Sequence, residues 1–303
     1  MAREKLHWFS LALKLKGSVI PAILYRVVLC GLFGVVISVA YYLKLPVSQK
    51  AFGTVIPSIV LGLLLVFRTN TAYDRFWEGR RLWGGIVINS LNLARQIWLA
   101  VPAVEPEERA RKISVLRLVV AFAVATKLHL RGESLNAELE ELMSSSEYFN
   151  LKTANSPPLK IAFLIGDYFQ HQYNLKNLNP NQLSGLHGLL NTMVESFIGC
   201  DRILRTPMPL AYAIHLKQLL LLFCVLLPFQ LVADVGWLTG LTVALVSFTL
   251  FGIEEIGIEI ENPFGYDAND LPLDAICTNL RRNVDDLMTL TPGVDTYSES
   301  AST

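Results

Sequence analysis

Four stretches of this sequence are long and apolar enough to cross a lipid bilayer. A helix needs roughly 20 mostly apolar residues to cross a hydrocarbon core of about 30 Å. The stretches are residues 27–43, 51–67, 209–232 and 235–258, and a short link joins the two members of each pair. The pattern therefore predicts a multi-pass membrane protein with four spanning helices.

The composition agrees with a membrane protein. The 303 residues are 52% hydrophobic and 17% charged, with a mean hydropathy of +0.41, whereas about a quarter of the residues of a soluble domain are charged. The net charge is zero, so no overall field favours nucleic acid as a partner. The cysteines lack CxxC spacing and are predicted to be free thiols: Cys30, Cys200, Cys224 and Cys277.

Lysine and arginine flank the apolar stretches unevenly. Five of them occur in residues 1–26 and four in residues 68–81, whereas the link between the last two stretches has none. Because basic residues are enriched in cytoplasmic loops, we expect both termini and the middle segment to be cytoplasmic. The predicted organisation is an amphipathic cytoplasmic segment at 1–26, spanning helices at 27–67, a cytoplasmic helical region at 68–208, spanning helices at 209–258 and a cytoplasmic segment at 259–303.

The middle segment carries apolar residues at helical spacing between charged ones. This period predicts amphipathic or buried helices, and the alternation typical of strands is nearly absent. Turn-forming and capping residues indicate breaks at 102–108, 134–146, 155–158 and 177–182. We therefore expect an all-α integral membrane protein with a cytoplasmic helical domain.

The signatures of common enzyme classes are absent from the sequence. There is no glycine-rich nucleotide loop, no HExxH and no GxSxG. The five histidines have no metal-ligand spacing: His7, His129, His171, His187 and His215. We predict that the protein is not an enzyme and that it needs no cofactor.

Ionisable residues lie close to the ends of the last two apolar stretches. His215 and Lys217 occur near the start of the third stretch, where ionisable side chains are costly and often functional, although a lysine there can also extend toward the interface. Four glutamates mark the end of the fourth stretch: Glu254, Glu255, Glu259 and Glu261. We expect these carboxylates to be solvated or to pair with nearby arginines.

The second apolar stretch contains a regular apolar stripe. Ile59, Leu63 and Phe67 are spaced at i, i+4 and i+8, so they share one face of a helix. Taken alone, this pattern also fits a helix packed against its neighbours. The helical period nevertheless continues beyond Phe67 into FRTNTAYDRFWEGRRLWG without proline. The helix is therefore predicted to leave the bilayer near Phe67 and to continue into water.

Three segments resemble motifs of the bestrophin family, especially its bacterial, cyanobacterial and plant-chloroplast branch. They are VLGLLLVFRTNTAYDRFWEGRRLWG, GCDRILRTPMPLAY and ENPFGYDANDLPLDAIC. The resemblance implies a homopentamer around a central pore that the second helix lines. It places Ile59, Leu63 and Phe67 at the narrow neck of that pore, and a second, cytoplasmic constriction at Asn181 or Gln182.

The third motif resembles the calcium clasp of animal bestrophins. The resemblance assigns calcium ligands to Asp267 and Asp270, with Asn262 as a carbonyl donor. Tyr266, Ala268 and Asn269 stand where the clasp has acidic residues, so the charge is reduced. A capped turn leading into a helix near Leu273 is the alternative structure for this motif.

The resemblance implies an ion channel for small monovalent ions, with anions such as chloride favoured. A sodium-type cation channel of the same fold is the alternative. A secondary transporter usually has inverted repeats and broken helices, which this sequence lacks, and a membrane protein whose helices merely pack also remains open. The expected partners are further copies of this chain, the lipid bilayer and the permeating ions. The expected membrane is the inner cell membrane, or the thylakoid membrane in a photosynthetic source.

Overall fold

The computed structural model describes residue 10 and residues 13–49 and 55–291, and this part of the chain contains helices and no strands. The all-α prediction is therefore confirmed for the described residues. The helices are α1 (Ile20–Tyr42), α2 (Val55–Ala100), α3 (Pro106–Arg131), α4 (Ala137–Glu140), α5 (Ser145–Leu151), α6 (Pro157–Asn174), α7 (Pro180–Arg205), α8 (Leu210–Val235), α9 (Thr239–Glu259) and α10 (Leu273–Thr289), with a 3-10 turn at Gly236–Leu238 between α8 and α9.

The chain forms two compact units. The first unit contains the described residues up to Trp77 together with Thr206–Asp270, and the second contains Glu78–Arg205 and the described residues from Leu271 onward. The first unit therefore holds α1, the first half of α2, α8 and α9. The second unit holds the rest of α2, α3 to α7 and α10.

The first unit is a bundle with an aliphatic core. Its buried residues come from all four helices: Ile23, Val27, Leu61, Leu65, Leu216, Leu220, Cys224 and Phe251. Helices α1 and α9 approach most closely at Gly34 and Gly240, where a Cβ added to Gly34 would lie 2.9 Å from the Gly240 Cα. Small residues permit this spacing between membrane helices. At one end of α1, Tyr42 stacks on Trp237 with ring centroids 4.2 Å apart.

Three segments of the described chain are long and apolar enough to cross a membrane: Ile20–Tyr42, Pro106–Arg131 and Leu210–Glu259. The first begins before the predicted stretch at 27–43 and includes Arg26, which pairs with Glu255. The third consists of α8 and α9, whereas the predicted stretch at 51–67 begins outside the described residues and is not among the three. The segment Pro106–Arg131 is α3, which sequence analysis assigned to the cytoplasmic region. Because its side chains are mostly buried inside the second unit, we interpret it as a core helix.

The second unit is built around α3, which contacts α6, α7 and α10. The predicted breaks agree with the helix boundaries, because α3 begins at Pro106, α6 at Pro157 and α7 at Pro180. The break predicted at 134–146 contains the short helix α4 and the Ser144 capping box that starts α5. The helix predicted near Leu273 is confirmed as α10.

An ion cluster joins α3 to α10 inside the second unit, with its cations buried and the Asp274 side chain largely exposed. Lys127 Nζ lies 2.6 Å from Glu138 Oε2 and 2.9 Å from Asp274 Oδ1, and Arg131 Nη1 lies 2.9 Å from Asp274 Oδ2. Burial acts to raise the pKa of the Asp274 carboxyl, but the hydrogen bonds from Lys127 and Arg131 outweigh it, so the pKa is lowered from its ordinary 3.8. The charged carboxylate therefore stabilises the folded state.

We expect Asp274→Asn to lower the midpoint of thermal unfolding at neutral pH. Because the folded pKa is depressed, the stabilisation is complete above the ordinary pKa of 3.8 and is lost as the pH falls through the folded value. The difference in the midpoint of thermal unfolding between the variant and the wild type should therefore shrink below that pH. Differential scanning fluorimetry across a pH series measures it, with Asp285→Asn on the same helix as control. A difference that does not change with pH would contradict this role.

Candidate functional site

The three residues of the predicted neck lie on one exposed ridge of α2. Ile59 is 55% exposed, Leu63 52% and Phe67 60% in the single chain. Four residues of the opposite face of the helix are buried: Leu61, Leu65, Arg68 and Ala72. The first half of α2 thus uses one face to pack within the first unit and leaves the opposite, apolar face available for another contact.

The exposed face of α2 gains polar residues after Phe67, although the aromatic side chains of Tyr73 and Trp77 are also exposed there. Asn70, Thr71 and Asp74 are all exposed on the next turns, and the Thr71 hydroxyl donates to the Phe67 carbonyl at 2.9 Å. The helix itself does not break, since it continues to Ala100. The change of surroundings that the sequence indicates near Phe67 therefore occurs within one continuous helix.

A buried arginine, which sequence analysis did not assign to any site, anchors this part of α2. Arg68 is 3% exposed, and its Nη2 lies 3.7 Å from Glu261 Oε2. Among the described residues, no hydrogen-bond partner lies near its Nε or Nη1. A Cβ added to Gly257 would lie 3.3 Å from the Arg68 Nε, so a glycine leaves room for the guanidinium. The sequence carried one signal for this buried site, because Arg68 directly follows Phe67, the last residue of the apolar stripe.

Glu261 connects several elements of the first unit. Its Oε1 accepts a hydrogen bond from the Met208 N–H at 2.9 Å, and its backbone carbonyl accepts one from Arg75 Nε at 3.4 Å. Arg75 Nη1 also donates to the Thr206 carbonyl at 2.6 Å. These contacts hold α2 to the chain that precedes α8 and to the chain that follows α9. The pairing of terminal glutamates with arginines, which the sequence predicts, is thus seen at Glu261 and Glu255.

The acidic segment after α9 forms a turn closed by its own side chains. Asp270 Oδ2 accepts a hydrogen bond from the Asp267 N–H at 2.8 Å, and Asn262 Oδ1 accepts one from the Phe264 N–H at 3.3 Å. A Cβ added to Gly265 would lie 2.8 Å from Asp270 Oδ2. One side-chain oxygen of Asp270 and one of Asn262, two of the residues that the resemblance assigns to calcium, therefore already accept backbone hydrogen bonds.

The described side chains do not fit a calcium site well. Calcium takes six to eight oxygen ligands, several of them carboxylates. In the part of the chain that the structure covers, no three His, Cys, Asp or Glu side chains group so as to hold a metal ion. The geometry at Asp267, Asp270 and Asn262 favours the capped turn, and calcium binding stays a prediction.

We expect calcium to leave the thermal unfolding of the wild type unchanged, because the turn is closed by hydrogen bonds. Asp270→Ala should lower the free energy of unfolding by about 1 kcal/mol, because it removes the acceptor of the Asp267 N–H. Thermal scans of the wild type and Asp270→Ala, each with calcium chloride and with a chelator, measure both effects. A midpoint that calcium raises in the wild type and not in the variant would establish a calcium site here.

Asn181 and Gln182 lie exposed in the first turn of α7. Asn179 Oδ1 accepts a hydrogen bond from the Gln182 N–H, and Gln182 Oε1 accepts one from the Asn179 N–H, both at 2.9 Å. Such reciprocal bonds satisfy the free N–H groups at a helix start. Gln182 therefore has a structural role as a cap, and the role of Asn181 or Gln182 in a constriction stays a prediction.

Comparison with known proteins agrees with the motif resemblance. The family model described as "Bacterial/Fungal Bestrophin protein" matches residues 1–286. A protein of Nostoc sp. named as a voltage-dependent anion channel-forming protein is 65% identical over 297 residues, which cover 98% of this chain and 97% of that protein. A Synechocystis sp. protein with the same descriptive name is 50% identical over 289 residues, covering 94% and 93% of the two chains.

Solved structures with the same fold are also found. The crystal structure of a bacterial bestrophin homologue from Klebsiella pneumoniae superposes with a TM-score of 0.82 at 30% sequence identity, and the match covers 89% of this chain and 100% of that one. The family model, the sequence relatives and the fold all agree over most of the chain. The resemblance seen in the motifs is thereby confirmed, and the chain belongs to the bestrophin family.

Proposed function

We propose that this protein is an anion channel in which several copies surround a central pore lined by α2. The observation that carries the proposal is the exposed apolar ridge of Ile59, Leu63 and Phe67, which lies opposite the packed face of the helix. The names of the Nostoc and Synechocystis relatives, which describe anion channel-forming proteins, support the choice of anions. The family resemblance supports five subunits.

The ridge explains how such a pore could restrict ion flow. A ring of apolar side chains from several subunits forms a constriction that water and strongly hydrated ions enter with difficulty. A weakly hydrated ion loses less on entering, so chloride passes more readily than a strongly hydrated ion of similar charge. Leu63 offers no aromatic edge, so the attraction of anions to aromatic edges is weaker at its level, and the Leu63 side chains act there through dehydration.

The proposed arrangement in the membrane follows the predicted organisation. Four helices cross the bilayer, comprising α1, the first half of α2, α8 and α9. Both termini and the helical region at 68–208 face the cytoplasm of a bacterial cell or the equivalent side of a thylakoid membrane. Asn181 or Gln182 contributes a second, polar constriction, and conduction does not require calcium, since the turn at Asp270 is already closed by hydrogen bonds.

The sign of the reversal potential tests whether the channel selects anions or cations. Purified protein is reconstituted into a planar bilayer with a tenfold gradient of potassium chloride. An anion-selective pore gives a reversal potential that approaches the chloride equilibrium value, about 59 mV from zero for a monovalent ion. The opposite sign would establish the cation channel. A saturable flux without unitary current steps would identify a transporter, and the channel proposal would then be wrong.

A further inference from the structure

We propose that a cavity among α1, α8 and α9 binds an anionic phospholipid whose headgroup carries hydroxyl groups, of the phosphatidylglycerol type. The cavity has a volume of about 390 Å³ and lies entirely within the first unit. Three of its lining residues are charged, and several others are apolar. Those that carry the argument are Arg26, Lys217, Glu254, Leu29, Leu221 and Phe251. Lipid binding goes beyond ion conduction and can be measured without it.

The cavity is polar at one end and apolar one helical turn away. Along α1, Arg26 is followed by Leu29, and along α8, Lys217 is followed by Leu221. In α9, which runs toward the polar end, Phe251 precedes Glu254 by three residues. On all three helices, the charged residue therefore lies at the same end of the cavity, and an apolar residue lies about one turn away from it. This is the gradient that a lipid requires, with its headgroup at the end of the helices and its chain along them.

Glu254 lacks a close partner for one oxygen. The residue is 2% exposed, and its Oε1 makes no hydrogen bond to any described residue. The nearest cations stand slightly too far for hydrogen bonds, with Lys217 Nζ at 3.8 Å from Oε1 and Arg26 Nη1 at 3.9 Å from Oε2. A buried carboxylate oxygen without a donor is costly, so this position favours a ligand that donates a hydrogen bond.

The same end of the cavity offers positive charge to an anion. The Lys217 side chain is 56% exposed, and no carboxylate oxygen holds it at hydrogen-bond distance among the described residues. Arg26 is partly engaged, since its Nη1 lies 3.1 Å from Glu255 Oε2. A phosphate near Lys217 would gain a charge-assisted hydrogen bond, which is stronger than a neutral one.

Phosphatidylglycerol satisfies both requirements. Its phosphate accepts from Lys217, its glycerol hydroxyl donates to Glu254, and its acyl chain covers Leu29 and Leu221, which are both exposed. Phosphatidylcholine has the phosphate and no donor beyond it.

Binding of short-chain lipids to the purified full chain tests the proposal. Native mass spectrometry in detergent gives the dissociation constants of dioctanoyl-phosphatidylglycerol and dioctanoyl-phosphatidylcholine. We expect phosphatidylglycerol to bind about tenfold more tightly, which corresponds to about 1.4 kcal/mol. Lys217→Ala should weaken the binding of both lipids, because each carries the phosphate, whereas Lys217→Arg should keep their affinities. Lys217 is half exposed, so neither change should prevent folding.

Two controls separate this site from general attraction of anionic lipid. Lys14→Ala removes an exposed charge near the start of the first unit and outside the cavity, and it should leave both affinities intact. Glycerol 3-phosphate tests whether the headgroup alone is recognised, and we expect at least tenfold weaker binding than for the lipid. Equal binding of the two lipids, equal loss in Lys14→Ala, or equally tight binding of glycerol 3-phosphate would each overturn the proposal.

Discussion

Replacement of Leu63 and Phe67 together by alanine is expected to increase the unitary current several-fold. Both side chains are more than half exposed on the free face of α2, and their truncation would widen the proposed neck and allow water to enter it. The barrier of an apolar constriction arises from the exclusion of water, so a wider, wetter ring passes ions faster. Single-channel recording in planar bilayers, with equal salt on both sides, measures the change.

The matched control for this experiment is Leu245→Ala. Leu245 is also an exposed leucine, 61% accessible on α9, and it lies outside the proposed pore. Its truncation should leave the unitary current unchanged. If Leu63→Ala with Phe67→Ala altered the current no more than Leu245→Ala, the ridge would face lipid or another helix instead of the pore.

Removal of the Glu261 carboxylate should produce the largest loss of stability in the first unit. Arg68 is buried, and Glu261 supplies its nearest carboxylate, at 3.7 Å. Glu261→Ala would leave this guanidinium buried without a counter-charge and would also remove the acceptor of the Met208 N–H. Loss of one partner of a buried ion pair costs about 3–5 kcal/mol. The midpoint of thermal unfolding in detergent should fall accordingly.

Two further variants identify the cause of this loss. Arg68→Met removes the buried charge itself and keeps an apolar side chain of similar length, so it should be tolerated much better than Glu261→Ala. The double variant Arg68→Met with Glu261→Ala should then recover part of the stability of Glu261→Ala alone. Glu195→Ala, at an exposed glutamate of α7, serves as the neutral control. A double variant that is no more stable than Glu261→Ala would show that the pair is not the cause.

Helical periodicity was enough to predict much of the fold and the exposed stripe. The spacing of Ile59, Leu63 and Phe67 places them on one face wherever the helix is formed, because 3.6 residues complete a turn. The turn-forming and capping residues likewise indicated where α3, α6 and α7 begin. These features depend on local chemistry, which is why they could be predicted from the sequence.

Features that depend on distant contacts could not be predicted in this way. The apolar composition of α3 meets the criteria for a spanning helix, and only its burial among α6, α7 and α10 indicates a core helix. The burial of Arg68 depends on Gly257 and Glu261, which lie far along the chain.

The uninterrupted course of α2 limits the ways in which the proposed pore can open. The helix has 46 residues, which corresponds to about 69 Å at 1.5 Å per residue, and no proline follows Pro57 within it. Between Leu63 and Trp77 it has no glycine either, and a sharp bend there would break backbone hydrogen bonds in the helix interior. Within the first unit, the part of α2 from Leu63 to Trp77 should therefore turn as one stiff piece and carry the ridge at Leu63 and Phe67 with it.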